Sequence, residues 1–225
     1  MNVRDAVATR FSCRAFLPDP VPEQTVRDII ERAARAPSGG NVQPWRIDVL
    51  AGDRLEQLKA LMRPRMNELP KGEGPEYTIF PPDLGSPYRE RRFVVGEMLY
   101  RSINIPREDK PARYRQFARN FEFFGAPVGL FMSIERSFAL AQWVDLGCYI
   151  QTVMLLARDY GLHTCPQEAW ASFPRTVSAF LTLPSHMLLF CGMALGHADE
   201  SAPINSWRTP REPLSSFATF SGFTD

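Results

Sequence analysis

Apolar residues recur at helical spacing over much of the chain, most clearly from Glu23 to Ala36. Val26, Ile29 and Ala33 follow one another at intervals of three and four residues, which places them on one face of an amphipathic helix. The same spacing predicts further helices elsewhere. These are a short N-terminal helix capped by Asn2 and the segments 53–66, 89–104, 110–124, 138–160 and about 173–181.

Three segments have the pattern of β-strands. RIDVLAG (46–52) alternates between polar and apolar residues, whereas 126–134 and 187–196 are short and nearly all apolar, which is typical of buried strands. HTCPQEAW (163–170) is predicted to be a loop. The segment 70–87 contains five prolines and three glycines, so a long surface excursion is predicted there.

The predicted strands are few and do not alternate regularly with the helices, which favours an α+β fold with a mixed sheet packed between helices. We expect one domain over residues 1–225, with an insertion at about 67–105 and a C-terminal extension at about 199–225. The segment 138–160 is apolar on almost every face. A helix of that kind is either buried or part of a subunit interface.

Composition excludes several classes of function. The formal net charge is +1 and no basic tract is interleaved with aromatic residues, so neither nucleic acid nor an anionic membrane is an expected partner. The four cysteines form no CxxC pair, which gives neither a zinc site nor a disulfide framework. No signal peptide or membrane-spanning segment is evident, and we expect a soluble cytoplasmic protein.

The chain is poorly supplied for catalysis by side chains alone. His163, His186 and His197 are isolated from one another, and no HExxH, GxSxG, GKS/GKT or GxGxxG motif occurs. No metal site and no specific catalytic side chain is therefore predicted. What remains are short clusters that are candidates to bind an anion and a planar, amide-rich ring.

One cluster combines cationic and hydrogen-bonding side chains. In RFSCRAF, Arg10, Ser12 and Arg14 alternate, so an extended backbone would project two guanidinium groups and a hydroxyl to one side, a combination that suits a phosphomonoester. A solvated polar edge is the alternative. Arg208 and Arg211 near the C-terminus offer further positive charge for the same phosphate.

Amide and hydroxyl groups are concentrated in APSGGNVQPWR (36–46). Ser38, Asn41 and Gln43 lie among glycines and prolines there, which allows the backbone to approach a ligand closely. The alternative is a turn in which Ser and Asn cap a helix end. Pro166, Gln167 and Glu168 form a third cluster, where backbone amides are available to a cleft.

Taken together and in order, these clusters resemble the FMN-dependent nitroreductase family from about Val3 to the C-terminus. RFSCRAF is similar to its RxSxRxF-like segment, and APSGGNVQPWR to its APS-x-x-N-x-QPW motif. WVDLGCYIQTVMLLARDYGL, CPQEAW, GMALG and REPL follow in the family's order. One departure is Ala169, where many members have glycine; it gives the backbone a larger expected role than any side chain in that loop.

The resemblance implies an intertwined homodimer with two FMN sites at the subunit interface. Arg10, Ser12 and Arg14 would hold the phosphate and ribityl chain, joined by Arg211 and Arg208. The partner subunit would supply Pro37, Ser38, Gly39, Asn41 and Gln43. Pro166, Gln167 and Glu168 would lie along the isoalloxazine ring, with a backbone amide near Glu168 donating to flavin N5.

The implied reaction is reduction of nitroaromatic compounds by NAD(P)H through ping-pong hydride transfer at N5. PPDLGSPYRERRFVVGEMLY (81–100) resembles the corresponding segment of nitrobenzoate and other aromatic nitro-compound reductases. Two alternatives stay open. One is another reductase of the superfamily, acting on enones, halogenated compounds or the flavin itself, and the other is a flavin-binding protein without turnover.

Substrate contacts are predicted from two further groups of residues. Phe121, Phe123 and Phe124 are candidates to border an aromatic substrate, with core packing as the alternative. Tyr88, Arg89 and Arg92 are candidates to bind its carboxylate, with a solvated helix face as the alternative.

Overall fold

A four-stranded sheet lies at the centre of the fold. Its strands are β1 Arg46–Ala51, β2 Val128–Glu135, β3 His163–Gln167 and β4 Met187–Gly196. In the computed structural model, which describes residues 1–223, their order is β1-β2-β4-β3 and each neighbouring pair is antiparallel. A single bridge between Ser12 and Thr164 adds a parallel component beside β3. β2 and β4 are buried almost throughout because they occupy the two central positions, as their sequences predict.

Seven α-helices among residues 1–223 surround the sheet, and each of them overlaps one predicted helical segment. The long central helix ends sharply because Gly161 adopts a φ of 72°. The Leu162 and Gly161 N–H groups then donate to Ala157 O (2.8 Å) and Arg158 O (3.0 Å), the arrangement of a Schellman motif. The helices are α1 Val3–Thr9, α2 Glu23–Ala33, α3 Gly52–Glu68, α4 Tyr88–Ser102, α5 Lys110–Ala118, α6 Leu140–Asp159 and α7 Pro174–Leu181.

Both faces of the sheet are covered by apolar side chains. On one face α2 and α6 pack through residues that include Ile29, Leu146 and Val153. On the other face α3, α7 and the 119–125 segment form a second cluster that is rich in aromatic residues. The α+β prediction, with a sheet packed between helices, is confirmed.

Close approach of aromatic rings to the sheet depends on two glycines. A Cβ atom at Gly129 would lie 2.6 Å from the Phe123 ring, and one at Gly192 would lie 2.3 Å from Trp170. Phe123 and Trp170 themselves pack with ring centroids 4.8 Å apart. The bare glycine backbone therefore lets this aromatic layer sit directly on the strands.

Two local predictions are wrong. The helix predicted over 110–124 ends at Ala118, since Phe123 and Phe124 have φ values of 48° and 55° and a left-handed backbone cannot continue a right-handed helix. Residues Arg119–Gly125 are instead a 3₁₀ segment. HTCPQ is not a loop but β3, an edge strand in which a proline such as Pro166 is tolerated.

Several apolar surfaces are not packed against any of residues 1–223. α4 and α5 contribute no buried residue. α6 is long and apolar enough to pass as a membrane span, but Leu146, Tyr149 and Val153 pack it into the core. Its other face is open, with Leu140 84% and Val144 66% exposed. The C-terminal tail exposes four apolar side chains at three-residue intervals, namely Leu214, Phe217, Phe220 and Phe223.

Candidate functional site

A cleft of about 400 Å³ brings together the predicted phosphate-binding residues from the two ends of the chain. None of its arginines forms an ion pair with a carboxylate of residues 1–223. Burial, and then the charge of Arg211, lower the pKa of Arg10. We call this the arginine cleft and define it by Arg10, Ser12, Arg14, Arg208 and Arg211, all of which line it.

Backbone hydrogen bonds fix the first wall of the arginine cleft against the sheet. Ser12 bridges to Thr164, and the Cys13 N–H donates to Thr164 O at 3.0 Å. The Arg14 N–H donates to Asn205 Oδ1 at 2.9 Å, although the two residues are 191 positions apart. The RFSCRAF segment therefore lies beside β3 and is joined to it by an isolated bridge rather than as a further strand.

Asn205 is a residue that the sequence analysis missed. It is buried, and its Nδ2 donates to Ala15 O (2.8 Å) and Asp199 O (2.9 Å) while its Oδ1 accepts from Arg14. The side chain thereby ties the C-terminal segment to the RFSCRAF segment. A single Asn in a polar tail carries no sequence signal for this role, because Arg14 and Ala15 are about 190 positions away along the chain.

The arginine cleft has the properties of an anion site. Arg14 Nη1 donates to the backbone oxygen of Ser12 (3.2 Å), and Arg208 Nη1 to those of Asn205 and Trp207 (2.8 and 2.9 Å). Trp207, which also lines the cleft, has a buried indole N–H without a partner in the part of the chain that the structure describes. Several donors and positive charges without a compensating carboxylate fit a phosphate group.

The second predicted cluster forms an exposed loop, which we call the amide loop and define as residues 37–44. Gly40, Asn41 and Gln43 have left-handed φ values of 58°, 58° and 52°. The Ser38 hydroxyl accepts from the Gln43 N–H at 3.0 Å, so it closes the turn, but it does not cap the 3₁₀ segment Gly39–Asn41 as the alternative expected. The Asn41 side chain forms no hydrogen bond with the residues described here, and Pro37, Gly39, Asn41 and Gln43 are all exposed.

The amide loop and the arginine cleft lie at opposite ends of α6. The Gly39 N–H donates to the Asp145 carboxylate at 3.2 Å near the start of α6. Near its end, Arg158 donates to Thr9 Oγ1 at 3.3 Å, one residue before Arg10. A helix rises 1.5 Å per residue, so these two contacts are about 20 Å apart along α6. One chain does not bring the two clusters together.

The third cluster lies at the end of β3, beside the arginine cleft. Pro166, Gln167 and Glu168 follow Thr164 by two to four residues, about 7–13 Å along an extended strand. The Gln167 side chain is buried and donates to Asn120 O at 2.7 Å, so it anchors the 119–125 segment. Burial raises the pKa of the Glu168 carboxyl, while the charge of Arg92 opposes that shift.

The predicted substrate residues divide into two groups. Phe121, Phe123 and Phe124 are buried in the aromatic layer of the core, so the core-packing alternative accounts for them, and the idea that they border a substrate is not supported. The α4 residues Tyr88, Arg89 and Arg92 are exposed.

The α4 arginines differ in their partners. Arg89 pairs with Glu90 at 2.9 Å, and the neighbouring Arg91 with Glu212 at 3.1 Å. Arg92 has no such carboxylate among residues 1–223, and its guanidinium lies 4.1 Å from the centroid of the Phe80 ring. Val95, one turn further along α4, lines the arginine cleft, so this face of α4 extends from the cleft toward Glu168.

A larger groove of about 660 Å³ lies elsewhere, between α2 and the open edge of β1. Its floor includes Val26, Ile30, Ile47 and Val49. It holds no cluster of positive charge comparable to that of the arginine cleft, and its size alone does not mark it as the cofactor site.

The structure defines the general class, an α+β protein with a preformed anion cleft beside a sheet edge. Comparison with known proteins identifies the family. The chain belongs to the nitroreductase family, whose model matches residues 7–197. The resemblance seen in the sequence is therefore confirmed.

The relatives and solved structures cover almost the whole chain. The chain is 42% identical to the 4-nitrobenzoate reductase of Pseudomonas putida, covering 96% of this chain and 94% of that protein. It is 36% identical to the nitrobenzene nitroreductase of Ectopseudomonas oleovorans, covering 97% and 96%. The crystal structure of the FMN- and NADPH-dependent nitroreductase NfnB from a Sphingopyxis strain matches with a TM-score of 0.96 and 44% identity over 99% of this chain and 100% of that one. The predicted similarity to nitrobenzoate reductases is thereby also confirmed.

Proposed function

We propose that the protein is an FMN-dependent oxidoreductase that uses NAD(P)H to reduce nitroaromatic compounds. The observation that carries this proposal is the arginine cleft, where the RFSCRAF segment and the C-terminal arginines meet and present positive charge without a carboxylate partner among residues 1–223. Relatives named for the reduction of 4-nitrobenzoate and nitrobenzene support the substrate class. A structural neighbour in complex with NADPH, with a TM-score of 0.91 and 29% identity, supports the electron donor.

The protein's own groups bind and orient the cofactor in this proposal. Arg10, Arg14, Arg208 and Arg211 hold the phosphate, and Ser12 adds a hydroxyl. The backbone N–H of Glu168 is the candidate donor to the edge of the flavin ring at N5. When bound, FMN supplies the redox chemistry, hydride acceptance from NAD(P)H and two-electron transfer to the nitro group.

The complete site is proposed to need a homodimer. The amide loop and the arginine cleft sit at opposite ends of α6, and the α6 face that carries Leu140 and Val144 is exposed. If two copies pair along this face about a two-fold axis, with their α6 helices antiparallel, the loop of one subunit reaches the cleft of the other. The exposed apolar side chains of the C-terminal tail would also be buried against the partner subunit.

Substrate recognition is proposed to involve Arg92. It is the arginine of the RERR sequence (89–92) without a carboxylate partner in the described part of the chain, and it lies on the α4 face that leads to Glu168. A guanidinium over an aromatic ring offers both a charge for a carboxylate and a flat apolar surface. We therefore favour carboxylated nitroarenes as good substrates and keep Tyr88 and Arg89 as secondary candidates.

A reducing cytoplasm is the proposed location. All four cysteines are free, and three of them are buried, which is consistent with a compartment where disulfides do not form.

Anaerobic stopped-flow spectroscopy tests the function. The FMN-loaded protein is mixed with NADH or NADPH, and the reduced protein is then mixed with nitrobenzene, 4-nitrobenzoate, an enone or a haloaromatic, with free FMN as the control. We expect bleaching by a nicotinamide and fastest reoxidation by a nitroarene. Flavin that stays yellow would indicate a binding protein without turnover, and faster reoxidation by the enone or haloaromatic would indicate a different reductase.

A further inference from the structure

Phe11, to which the proposed function gives no role, lies between two other side chains. Its ring faces the Arg208 guanidinium, with 4.0 Å between the guanidinium carbon and the ring centroid. On another side the His163 ring lies 5.1 Å away at an angle of 58°. Phe11 and Arg208 both line the arginine cleft, whereas His163 is buried behind it.

The stacked arrangement restricts Arg208. One of its nitrogens, Nη1, donates to two backbone oxygens, and no carboxylate of the described chain pairs with it. A planar guanidinium that rests on an aromatic face loses its freedom to rotate about the side chain, and its remaining N–H donors keep one direction. Such preorganisation strengthens binding to a planar or tetrahedral oxyanion.

His163 and Arg158 support Phe11 from behind. Arg158 Nη1 lies 3.1 Å from His163 Nδ1 and 2.8 Å from Leu162 O. Because a guanidinium only donates, Nδ1 has to be the acceptor, and the histidine is neutral. Burial, followed by the charges of Arg158, Arg208 and His197, lowers the pKa of His163 to about 4. The ring therefore packs against Phe11 without adding charge to the cleft at neutral pH.

We propose that Phe11 is a positioning residue that holds the Arg208 guanidinium for a phosphate monoester, and thereby sets the preference of the site for FMN over riboflavin. The inference rests on the proposed FMN site. It assigns a role to the aromatic residue inside RFSCRAF, between the two residues that contact the phosphate directly in our proposal.

The test compares FMN with riboflavin, which lacks the phosphate. Full-length protein freed of flavin is titrated with each by fluorescence quenching, and its dimer content and thermal stability are checked in parallel. For Phe11→Leu we expect affinity for FMN to fall about tenfold, which lies between the values for an exposed and a desolvated cation–π contact. Affinity for riboflavin should stay unchanged. Phe11→Tyr keeps the aromatic face and should keep the preference for FMN.

Phe180 provides a matched control. Arg54 lies 3.8 Å from the centroid of the Phe180 ring, outside the arginine cleft, so Phe180→Leu removes a similar pair without touching the site. This variant should retain the FMN preference of the unaltered protein.

A double-mutant cycle tests whether Phe11 affects FMN binding through Arg208. In an Arg208→Gln background, Phe11→Leu should cause no further loss of FMN affinity, because its partner is already gone. Additive losses, or equal losses for FMN and riboflavin, would overturn the positioning role. Failure of the unaltered protein to bind FMN would instead refute the proposed function, so the two ideas fail separately.

Discussion

The arginine cleft and the amide loop differ in how far the chain itself completes them. The cleft is built from segments near both ends of the chain, which Thr164 and Asn205 lock to the sheet edge through hydrogen bonds of 3.0 and 2.9 Å. The amide loop contacts the rest of the fold through Asp145, and its Asn41 side chain has no partner in the described chain. The arginine cleft holds its charges in place within one subunit, whereas the amide loop leaves the Asn41 side chain without a partner among residues 1–223.

Under the proposed function, this difference divides the binding energy for FMN between two walls of the site. The arginine cleft, which we propose binds the phosphate, is preformed within each subunit. The amide loop is proposed to join the site only when two subunits associate. Changes to the interface, the cleft and the loop should therefore have separable effects on assembly, affinity and stability.

The largest effect is expected from Val144→Glu. Val144 is exposed on the open face of α6, and burying an unpaired carboxylate in an interface costs several kcal/mol. We expect a monomeric protein whose affinity for FMN falls by about 100-fold, since each cleft loses its amide loop. Sedimentation velocity and flavin titration measure both. Leu61→Glu on α3, also exposed, is the control and should remain dimeric; a dimer in the Val144 variant would refute the α6 interface.

Arg10→Gln should come next. It removes one charged donor from the cleft and leaves the interface unaltered, and a hydrogen bond to a charged group contributes about 1.5–3 kcal/mol. The dissociation constant of FMN should therefore rise about 10- to 100-fold. Arg32→Gln on the exposed surface of α2 should leave it unchanged. Equal losses in both variants would mean that general charge, not the cleft, attracts the cofactor.

His163→Gln should change the pH dependence of stability. The folded pKa of His163 is lowered to about 4 from 6.5, so the unfolded chain binds the proton more readily and stability falls as pH drops from 6.5 toward 4. In this window the histidine should contribute a loss of about 2 kcal/mol at pH 5, and none above pH 7. Urea unfolding at both pH values should show a flatter profile in the variant. An unchanged profile would contradict the neutral, buried histidine.

Asn41→Ala distinguishes a ligand contact from a structural one. Its side chain forms no hydrogen bond in the described chain, so thermal stability should be unchanged while FMN binds about tenfold more weakly. Ser38→Ala is the comparison, because the Ser38 hydroxyl closes the turn, and its loss should cost about 1 kcal/mol of stability. If Asn41→Ala lowered the melting temperature and left FMN affinity intact, the loop would be structural only.

Arg92→Gln should have the smallest effect, confined to substrate choice. We expect kcat/KM for 4-nitrobenzoate to fall about fivefold relative to nitrobenzene, mainly through KM, since one partly solvated charge contact is lost. Arg91→Gln, whose arginine is paired with Glu212, is the matched control. An unaltered ratio in the Arg92 variant would remove the carboxylate-recognition role.

Much of the fold could be predicted from the sequence because its signals are local. The spacing of Val26, Ile29 and Ala33 predicts α2, and the apolar run of β2 predicts a central strand. Local sequence patterns gave wrong predictions where an unusual backbone conformation or the pairing of two strands determined the structure. Phe123 and Phe124 adopt left-handed φ values that their apolar pattern does not reveal, and β3 exists because β4 pairs with it despite Pro166.

The residues of the candidate site could largely be predicted from the sequence, but the contacts that bring them together could not. The candidate phosphate-binding residues were predicted from RFSCRAF and the C-terminal arginines, and the structure gathers them in one cleft. Asn205, Arg158 and Phe11 were missed, because each acts through a contact with a distant segment. Burial of Phe123 and Phe124 likewise depends on the tertiary packing of Trp170 and Gly129.

Subunit complementation tests the central claim, that each FMN site combines the arginine cleft of one subunit with the amide loop of the other. Arg10→Gln and Asn41→Ala proteins are dissociated, mixed in equal amounts and reassociated, and FMN binding is titrated at a concentration that neither variant alone can saturate. Random pairing should restore unaltered affinity to about a quarter of the sites, since each mixed dimer has one site free of both changes. If the mixture binds no more FMN than the average of the two variants, each site lies within one chain and the account is contradicted.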